Sequence, residues 1–196
     1  MEKKQIRNLL EDCWKGVEVY YKSNSISSER SLQAEIYSNL RGLVGEHCKV
    51  LVEPSIEKYI PDIVVVDSNQ ILCIIEIKFA PHWWISGLTL KGDINKLSLY
   101  SKMKYFEPII FGPKRVFDTN NKKWLGERTI FSFTDETVFC FAVITRNEAP
   151  SSTLLKLREY SSEIESIDNF CLLSGLITVD EEKALSSEEF IVESTF

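Results

Sequence analysis

The sequence predicts an α/β fold in which a central mixed β-sheet is flanked by helices. Apolar residues recur at helical spacing over residues 3–21 and again between Ser28 and Gly45. Apolar, β-branched runs with strand character follow over residues 49–52, 59–66 and 71–79. Helical and strand patterns mixed in this way along one chain are typical of a sheet covered by helices.

Capping residues place the ends of the predicted helices. The second helix begins near Ser27 or Ser28, either of which can cap it, and carries Glu29 in its first turn. A third helix begins near Asp93, a good N-cap residue, and runs to about Lys104.

The turn between the second and third strands sets their register. We expect residues 68–70 to form the loop, with Asp67 opposite Ile71. Asp62 then lies opposite Glu76 on the same face of the sheet, with Cβ atoms ~5 Å apart. A slip of one residue would put the two carboxylates on opposite faces.

The second half of the chain is harder to interpret. Short strands are expected around residues 109–111 and 129–133, and a central strand buried on both faces over 138–145. Leu154, Leu157, Ser161 and Ile164 recur at helical spacing and suggest another helix. The acidic tail, residues 180–196, is expected to be weakly structured.

Composition narrows the class of protein. A chain of 196 residues fits one domain, and 44% hydrophobic residues suffice for a sizeable core. Five cysteines without a CxxC pair are expected to be reduced, buried residues of a cytoplasmic protein. We expect no membrane segment and no signal peptide. With only two histidines, a metal would be held by carboxylates, which favour Mg²⁺ or Mn²⁺.

Three residues form the pattern that suggests chemistry: Asp62, Glu76 and Lys78. Two carboxylates opposed across a hairpin repel each other, and a divalent cation between them would remove that penalty. A neighbouring lysine can stabilise an attacking hydroxide or the charge on a phosphate. The alternative from spacing alone is an ion-pair cluster at a sheet edge.

Pro61-Asp62 and Glu76-Ile77-Lys78, set in the order α-β-β-β-α-β, resemble the PD-(D/E)xK nuclease superfamily. The resemblance implies a restriction-endonuclease-like core over about residues 28–145 of a single domain, 1–196. It implies a Mg²⁺- or Mn²⁺-dependent nuclease, with Asp62, Glu76 and the carbonyl of Ile77 as metal ligands and Lys78 as the catalytic lysine. A glutamate of the preceding helix often joins such sites, and Glu35 is the matching candidate, with a solvated helix residue as the alternative.

Residues after the signature are candidates for substrate contact. Lys96 on the third helix, and Lys91 just before it, could bind phosphate, although both could equally be solvated. Trp83 and Trp84 could stack on bases, but an adjacent pair more often splits between core and surface.

Charge is unevenly distributed along the chain. The formal net charge of −6 argues against a basic nucleic-acid coat, but residues 146–196 alone carry a net −7, and residues 88–128 carry +5. The basic stretch is what binding to a phosphate backbone needs, with an ordinary solvated surface as the alternative. The nuclease resemblance implies nucleic acid, with DNA favoured, as substrate. The acidic C-terminal extension, 146–196, could contact a second copy or a protein partner.

Two other interpretations remain open. The chain could be a catalytically silent module that uses the same fold to bind nucleic acid or a protein. It could also be an unrelated α/β domain with an accidental match, in which case Asp62 and Glu76 could point to opposite faces of the sheet.

Overall fold

A mixed β-sheet lies at the centre of the computed structural model, which describes residues 1–54, 59–81, 87–106, 115–126, 130–147, 162–180 and 185–194. The helices of this part are α1 (Lys3–Lys22), α2 (Glu29–Leu43), α3 (Gly87–Tyr100) and a 3-10 helix, Ser162–Ser166. The strands are β1 (Cys48–Val52), β2 (Ile63–Asp67), β3 (Gln70–Ala80), β4 (Tyr105–Phe106), β5 (Arg115–Asp118), β6 (Lys123–Gly126), β7 (Phe131–Ser132), β8 (Val138–Asn147), β9 (Phe170–Asp180) and β10 (Leu185–Ser194).

The main path of the sheet has the order β1-β2-β3-β8-β9-β10. The first three strands are antiparallel neighbours, β8 runs parallel to β3 and to β9, and β10 returns antiparallel to β9. The short strands β4 and β7 join beside β3, and β5 pairs with β6 in a separate hairpin. This architecture confirms the predicted class, an open mixed sheet flanked by helices.

Each face of the sheet carries its own apolar cluster. Helices α1 and α2 cover one face, which we call the α1 face, and α3 with the 3-10 helix covers the other, the α3 face. Because successive strand residues point to opposite faces, each strand supplies both clusters. Ile63, Ile75 and Ile77 lie on the α1 face, and Val64 and Ile74 lie on the α3 face.

The first two helices agree with prediction, and the third does not. Ser28 is the N-cap of α2, and its hydroxyl accepts a hydrogen bond of 3.1 Å from the Ser31 N–H. The predicted start of the third helix at Asp93 was wrong, because α3 begins at Gly87 and carries Asp93 in its middle. It also ends at Tyr100 rather than near Lys104.

The C-terminal quarter also differs from prediction. The expectation of a weakly structured tail was wrong, because β9 and β10 extend the sheet in continuous antiparallel register. Phe190 and Val192 of β10 pack against the cluster under α1, and the Phe190 ring centroid lies 5.5 Å from that of Trp14. The predicted strand at 109–111, residues 154–161 of the predicted helix, and Trp83 and Trp84 lie outside the described residues.

The state of the cysteines and the presence of membrane-spanning helices can be checked in the described part of the chain. All five cysteines are free and buried, as predicted: Cys13, Cys48, Cys73, Cys140 and Cys171. None of the helices described here has the length and apolar character needed to cross a membrane.

Candidate active site

The loop between β2 and β3 is shorter than predicted. Asp67 pairs with Gln70, so that only Ser68 and Asn69 form the loop, and the predicted pairing of Asp67 with Ile71 was wrong. Ser68 has φ 53°, a left-handed conformation that two-residue hairpin loops require at their first position.

A β-bulge then restores the predicted register. The pairing shifts by one residue between Val65 and Val66. Beyond the bulge Val64 pairs with Ile74, as the sequence analysis expected. The bulge therefore offsets the shorter loop before the strands reach Asp62 and Glu76.

Asp62 and Glu76 belong to the same face of the sheet. Val64 and Ile74 both lie in the cluster on the α3 face, and residues two apart on a strand share a face. Asp62 directly precedes β2, and Glu76 lies within β3. The opposite-face arrangement that an accidental match allowed is not the one observed.

Asp62 is fixed by three hydrogen bonds. Its Oδ2 atom accepts one of 2.6 Å from the backbone N–H of Ile77. Its carbonyl oxygen accepts from the N–H of Glu53 at 2.9 Å and from the side chain of Gln33 at 3.2 Å. Burial raises the pKa of the Asp62 carboxyl to about 6, although the bond from Ile77 and the charge of Lys96 act in the opposite direction.

Glu76 is the most deeply buried acid of the site. The residue is 1% exposed, and its Oε2 atom accepts a hydrogen bond of 2.9 Å from Nζ of Lys96. Its Oε1 atom is buried and makes no hydrogen bond of ordinary geometry in the described part of the chain, although the buried hydroxyl of Tyr100 lies close enough to interact with the Glu76 carboxyl. Burial raises the pKa of Glu76 to about 8, against the opposing charge of Lys96, and the charges of Asp62 and Asp93 raise it further.

Helix α3 supplies an acid and a base that face β3. Asp93 lies in the middle of α3, is 8% exposed, and accepts a hydrogen bond of 2.9 Å from Lys96 one turn later. Burial alone would lower the pKa of Lys96, but its contacts with Glu76 and Asp93 outweigh burial and raise that pKa above its ordinary value. The charged ammonium of Lys96 therefore lies between the carboxyl groups of Glu76 and Asp93.

Lys78 is held between α2 and α3. Its Nζ atom lies 3.5 Å from Oδ2 of Asp93 and 3.6 Å from Oε2 of Glu29. The same Glu29 oxygen accepts a hydrogen bond of 3.4 Å from the backbone N–H of Phe79. The side chain of Lys78 is 24% exposed, so its ammonium group has access to solvent.

Glu29 is a site residue that the sequence analysis did not identify as one. It is the first residue of α2, and Gln33, one turn later, donates to the carbonyl of Asp62. These two residues form a polar stripe at i, i+4 beside the apolar stripe of Leu32 and Ile36. That stripe is the signal that could have identified Glu29.

Glu35 occupies a different side of α2 from Glu29. Six residues separate them, which is about 240° around an α-helix. The contact described for Glu35 is at its carbonyl, which accepts a hydrogen bond of 2.9 Å from the side chain of Asn39. The structure thus brings Asp62, Glu76 and Lys78 together, and it is Glu29 rather than Glu35 that joins them from α2.

The other predicted residues have clear positions. Ile77 lies in β3 between Glu76 and Lys78, 1% exposed, with its N–H bonded to Asp62. Lys91 is exposed near the start of α3. Lys96 points into the carboxylates instead of lying free on the helix surface.

The oxygen atoms of these carboxylates are the type of ligand that a hard divalent cation prefers. Oxygen donors favour Mg²⁺ and Mn²⁺, and two buried oxygens, Oε1 of Glu76 and Oδ2 of Asp93, have no hydrogen-bond partner among the described residues. An unpartnered buried carboxylate oxygen is costly, and a cation would relieve that cost. Within the described ranges, however, no three acidic, cysteine or histidine side chains converge closely enough to hold a metal.

Comparisons with known proteins assign neither a family nor a function to this chain. The chain matches no family model, no curated protein and no solved structure.

Proposed function

We propose that the chain is a metal-dependent nuclease of the PD-(D/E)xK type, with a restriction-endonuclease-like core, that hydrolyses phosphodiester bonds in nucleic acid, with DNA favoured. The observation that carries the proposal is the placement of Asp62 and Glu76 on one face, with Lys78 two residues farther along β3. Burial in an apolar sheet makes this pair of acids unfavourable for folding, so a catalytic role is the better explanation of their presence.

Different residues of the site have different roles in the proposed hydrolysis. Asp62 and Glu76, with the carbonyl of Ile77, would hold Mg²⁺ or Mn²⁺, which when bound supplies a water of lowered pKa and neutralises phosphate charge. Lys78 orients the attacking water or stabilises the charge that develops on the phosphate. Glu29 and Asp93 hold Lys78 in position through their ion pairs.

The surroundings of the site are compatible with a phosphate backbone. The exposed side chain of Lys91 lies near the start of α3, the helix that supplies Asp93 and Lys96. A basic side chain on this helix would contact phosphate without reading sequence. The buried, free cysteines support a reducing compartment, for which we propose the cytoplasm.

Cleavage assays with matched variants test the proposal. Plasmid DNA, single-stranded DNA and RNA are incubated with Mg²⁺, Mn²⁺ or EDTA. We expect cleavage only with metal, and a loss of about 100-fold or more in Asp62→Asn and Lys78→Met. Lys15→Met is the control, because Lys15 forms an exposed ion pair with Asp12 on α1. Cleavage that persists in both site variants would overturn the assignment.

One observation favours the second candidate, a catalytically silent module. The ammonium of Lys96 already satisfies one oxygen each of Glu76 and Asp93, at 2.9 Å. If this arrangement is permanent, the site cannot accept a metal. Calorimetric titration with Mg²⁺ and Mn²⁺ separates the two candidates, since a silent module would give no metal binding.

A further inference from the structure

Lys96 has a position that neither a solvated lysine nor a phosphate contact explains. Its Nζ atom lies 2.9 Å from Oε2 of Glu76 on β3 and 2.9 Å from Oδ1 of Asp93 on its own helix. The side chains of these acids are only 1% and 12% exposed. The ammonium group therefore bridges the sheet and α3 at the deepest part of the carboxylate cluster.

One ammonium group does not satisfy this cluster. Each of the two acids uses one oxygen for Lys96. The second oxygen of each, Oε1 of Glu76 and Oδ2 of Asp93, makes no hydrogen bond of ordinary geometry in the described structure. The hydroxyl of Tyr100 lies close enough to interact with the Glu76 carboxyl, but it carries no positive charge to balance the acids. Lys78 lies nearest to Asp93 Oδ2, but at 3.5 Å. Asp62 adds a further carboxylate to the same face. A divalent cation would neutralise this group of acids more completely than a lysine does.

We propose that Lys96 is the resident cation of the metal-free site and that its ammonium group leaves the Glu76–Asp93 pair when a divalent metal binds. This inference rests on the proposed function, since it concerns how the same site takes its metal. Lys96 and the metal compete for the same carboxylates, so the lysine stabilises the fold without metal and weakens metal affinity.

The side chain of Lys96 is suited to such an exchange. It is 32% exposed, so its ammonium group has a route to water. A lysine is a point charge on a flexible four-carbon stem, and it can leave without disturbing the helix that carries it. Once released, the ammonium group is available to contact phosphate, the role that the sequence analysis considered for Lys96.

Three variants test the exchange. Lys96→Met removes the charge and keeps most of the apolar stem. Lys96→Arg keeps the charge but holds carboxylates through a rigid fork that is harder to release. Lys15→Met is the control, because it removes an ion-paired lysine from an exposed helix position. Thermal unfolding is measured in EDTA and with Mn²⁺, and Mn²⁺ affinity is measured by calorimetry.

The exchange predicts opposite effects with and without metal. In EDTA, Lys96→Met lowers the unfolding temperature more than Lys15→Met does. It binds Mn²⁺ about tenfold more tightly than the wild type, and its unfolding temperature rises more on addition of Mn²⁺. Lys96→Arg remains folded in EDTA and binds Mn²⁺ more weakly than the wild type.

The outcomes separate this inference from the proposed function. Mn²⁺ binding by the wild type, with unchanged or weaker binding by Lys96→Met, overturns the exchange and leaves the nuclease proposal standing. Should Lys96→Met not fold, Mn²⁺ binding by Lys96→Arg at wild-type strength or better overturns the exchange. If neither the wild type nor any variant binds Mn²⁺ or Mg²⁺, both proposals are wrong.

Discussion

The backbone N–H of Ile77 donates a hydrogen bond of 2.6 Å to Oδ2 of Asp62. This bond ties the start of β2 to the middle of β3 through a side chain instead of the backbone ladder. The carboxylate of Asp62 therefore has a structural task as well as the proposed role as a metal ligand, and substitutions can separate the two.

Asp62→Ala leaves the N–H of Ile77 without its acceptor, and we expect a loss of about 1–3 kcal/mol in the free energy of unfolding. Asp62→Asn keeps a side-chain oxygen, so it should lose less stability while still losing metal-dependent cleavage. Urea unfolding in EDTA measures the first effect, and the cleavage assay measures the second. Equal losses of stability in the two variants would show that the bond from Ile77 contributes little.

Glu76 should make the metal-free protein less stable as the pH rises. Burial raises the pKa of Glu76 from 4.5 to about 8, so between these values the folded chain still binds a proton that the unfolded chain has released. Raising the pH through this window therefore favours unfolding. Asp62, with a pKa raised from 3.8 to about 6, adds an effect of the same sign at lower pH.

Glu76→Gln removes the larger of these contributions. We expect the free energy of unfolding in EDTA to decline less between pH 5 and about pH 8 in this variant than in the wild type. Asp62→Asn is the matched comparison, since its effect should be confined to the acidic part of the range. Parallel curves for the wild type and Glu76→Gln would contradict the burial of an ionisable group at this position.

Glu29 and Glu35 make different contributions in the structure, and activity should reflect this. Glu29→Gln weakens the contacts to Lys78 and to the N–H of Phe79, and we expect it to reduce cleavage by about 10- to 100-fold. Glu35→Gln on another side of α2 should change cleavage by less than about threefold. A larger loss in Glu35→Gln than in Glu29→Gln would restore the original candidate.

The packing of β10 can be tested through Phe190. This side chain packs against Trp14 and Tyr21 of α1, with ring centroids 5.5 and 5.8 Å away. We expect Phe190→Ala to lower the free energy of unfolding by about 2 kcal/mol, because the ring is only partly buried. Glu189→Ala, at the exposed neighbouring position, should change it by less than about 0.5 kcal/mol. If both variants are neutral, the tail does not contribute to the fold.

Much of the fold was predictable because it follows from local sequence patterns. The apolar stripe predicts α1, the serine at position 28 predicts the start of α2, and the continuous apolar run over 138–145 predicts a central strand. The structure has each of these features. The acidic tail was misjudged because counting its charges averages over an alternation in which Phe190 and Val192 face α1. A strand can carry many acids if every second residue is apolar.

The candidate site was only partly predictable. The common face of Asp62 and Glu76 was expected from the wrong loop length, and the bulge that corrects it leaves no signal among uniformly apolar residues. Asp93 is a residue type that often caps helices, so the sequence suggested an N-cap. Its ion pair with Lys78 on β3 becomes visible only in the folded structure. Contacts between distant elements, such as that of Glu29 with Lys78, depend on packing that local patterns do not encode.

The turn at Ser68 and Asn69 is a suitable position for attaching a fluorescent label. Asn69 is exposed and all five native cysteines are buried, so Asn69→Cys would introduce the one readily accessible thiol among the cysteines. Asn69 lies about 30 Å from Lys78 along β3, at the rise of an extended strand. A fluorophore attached there would report on the approach of a labelled oligonucleotide without touching the residues that would bind it.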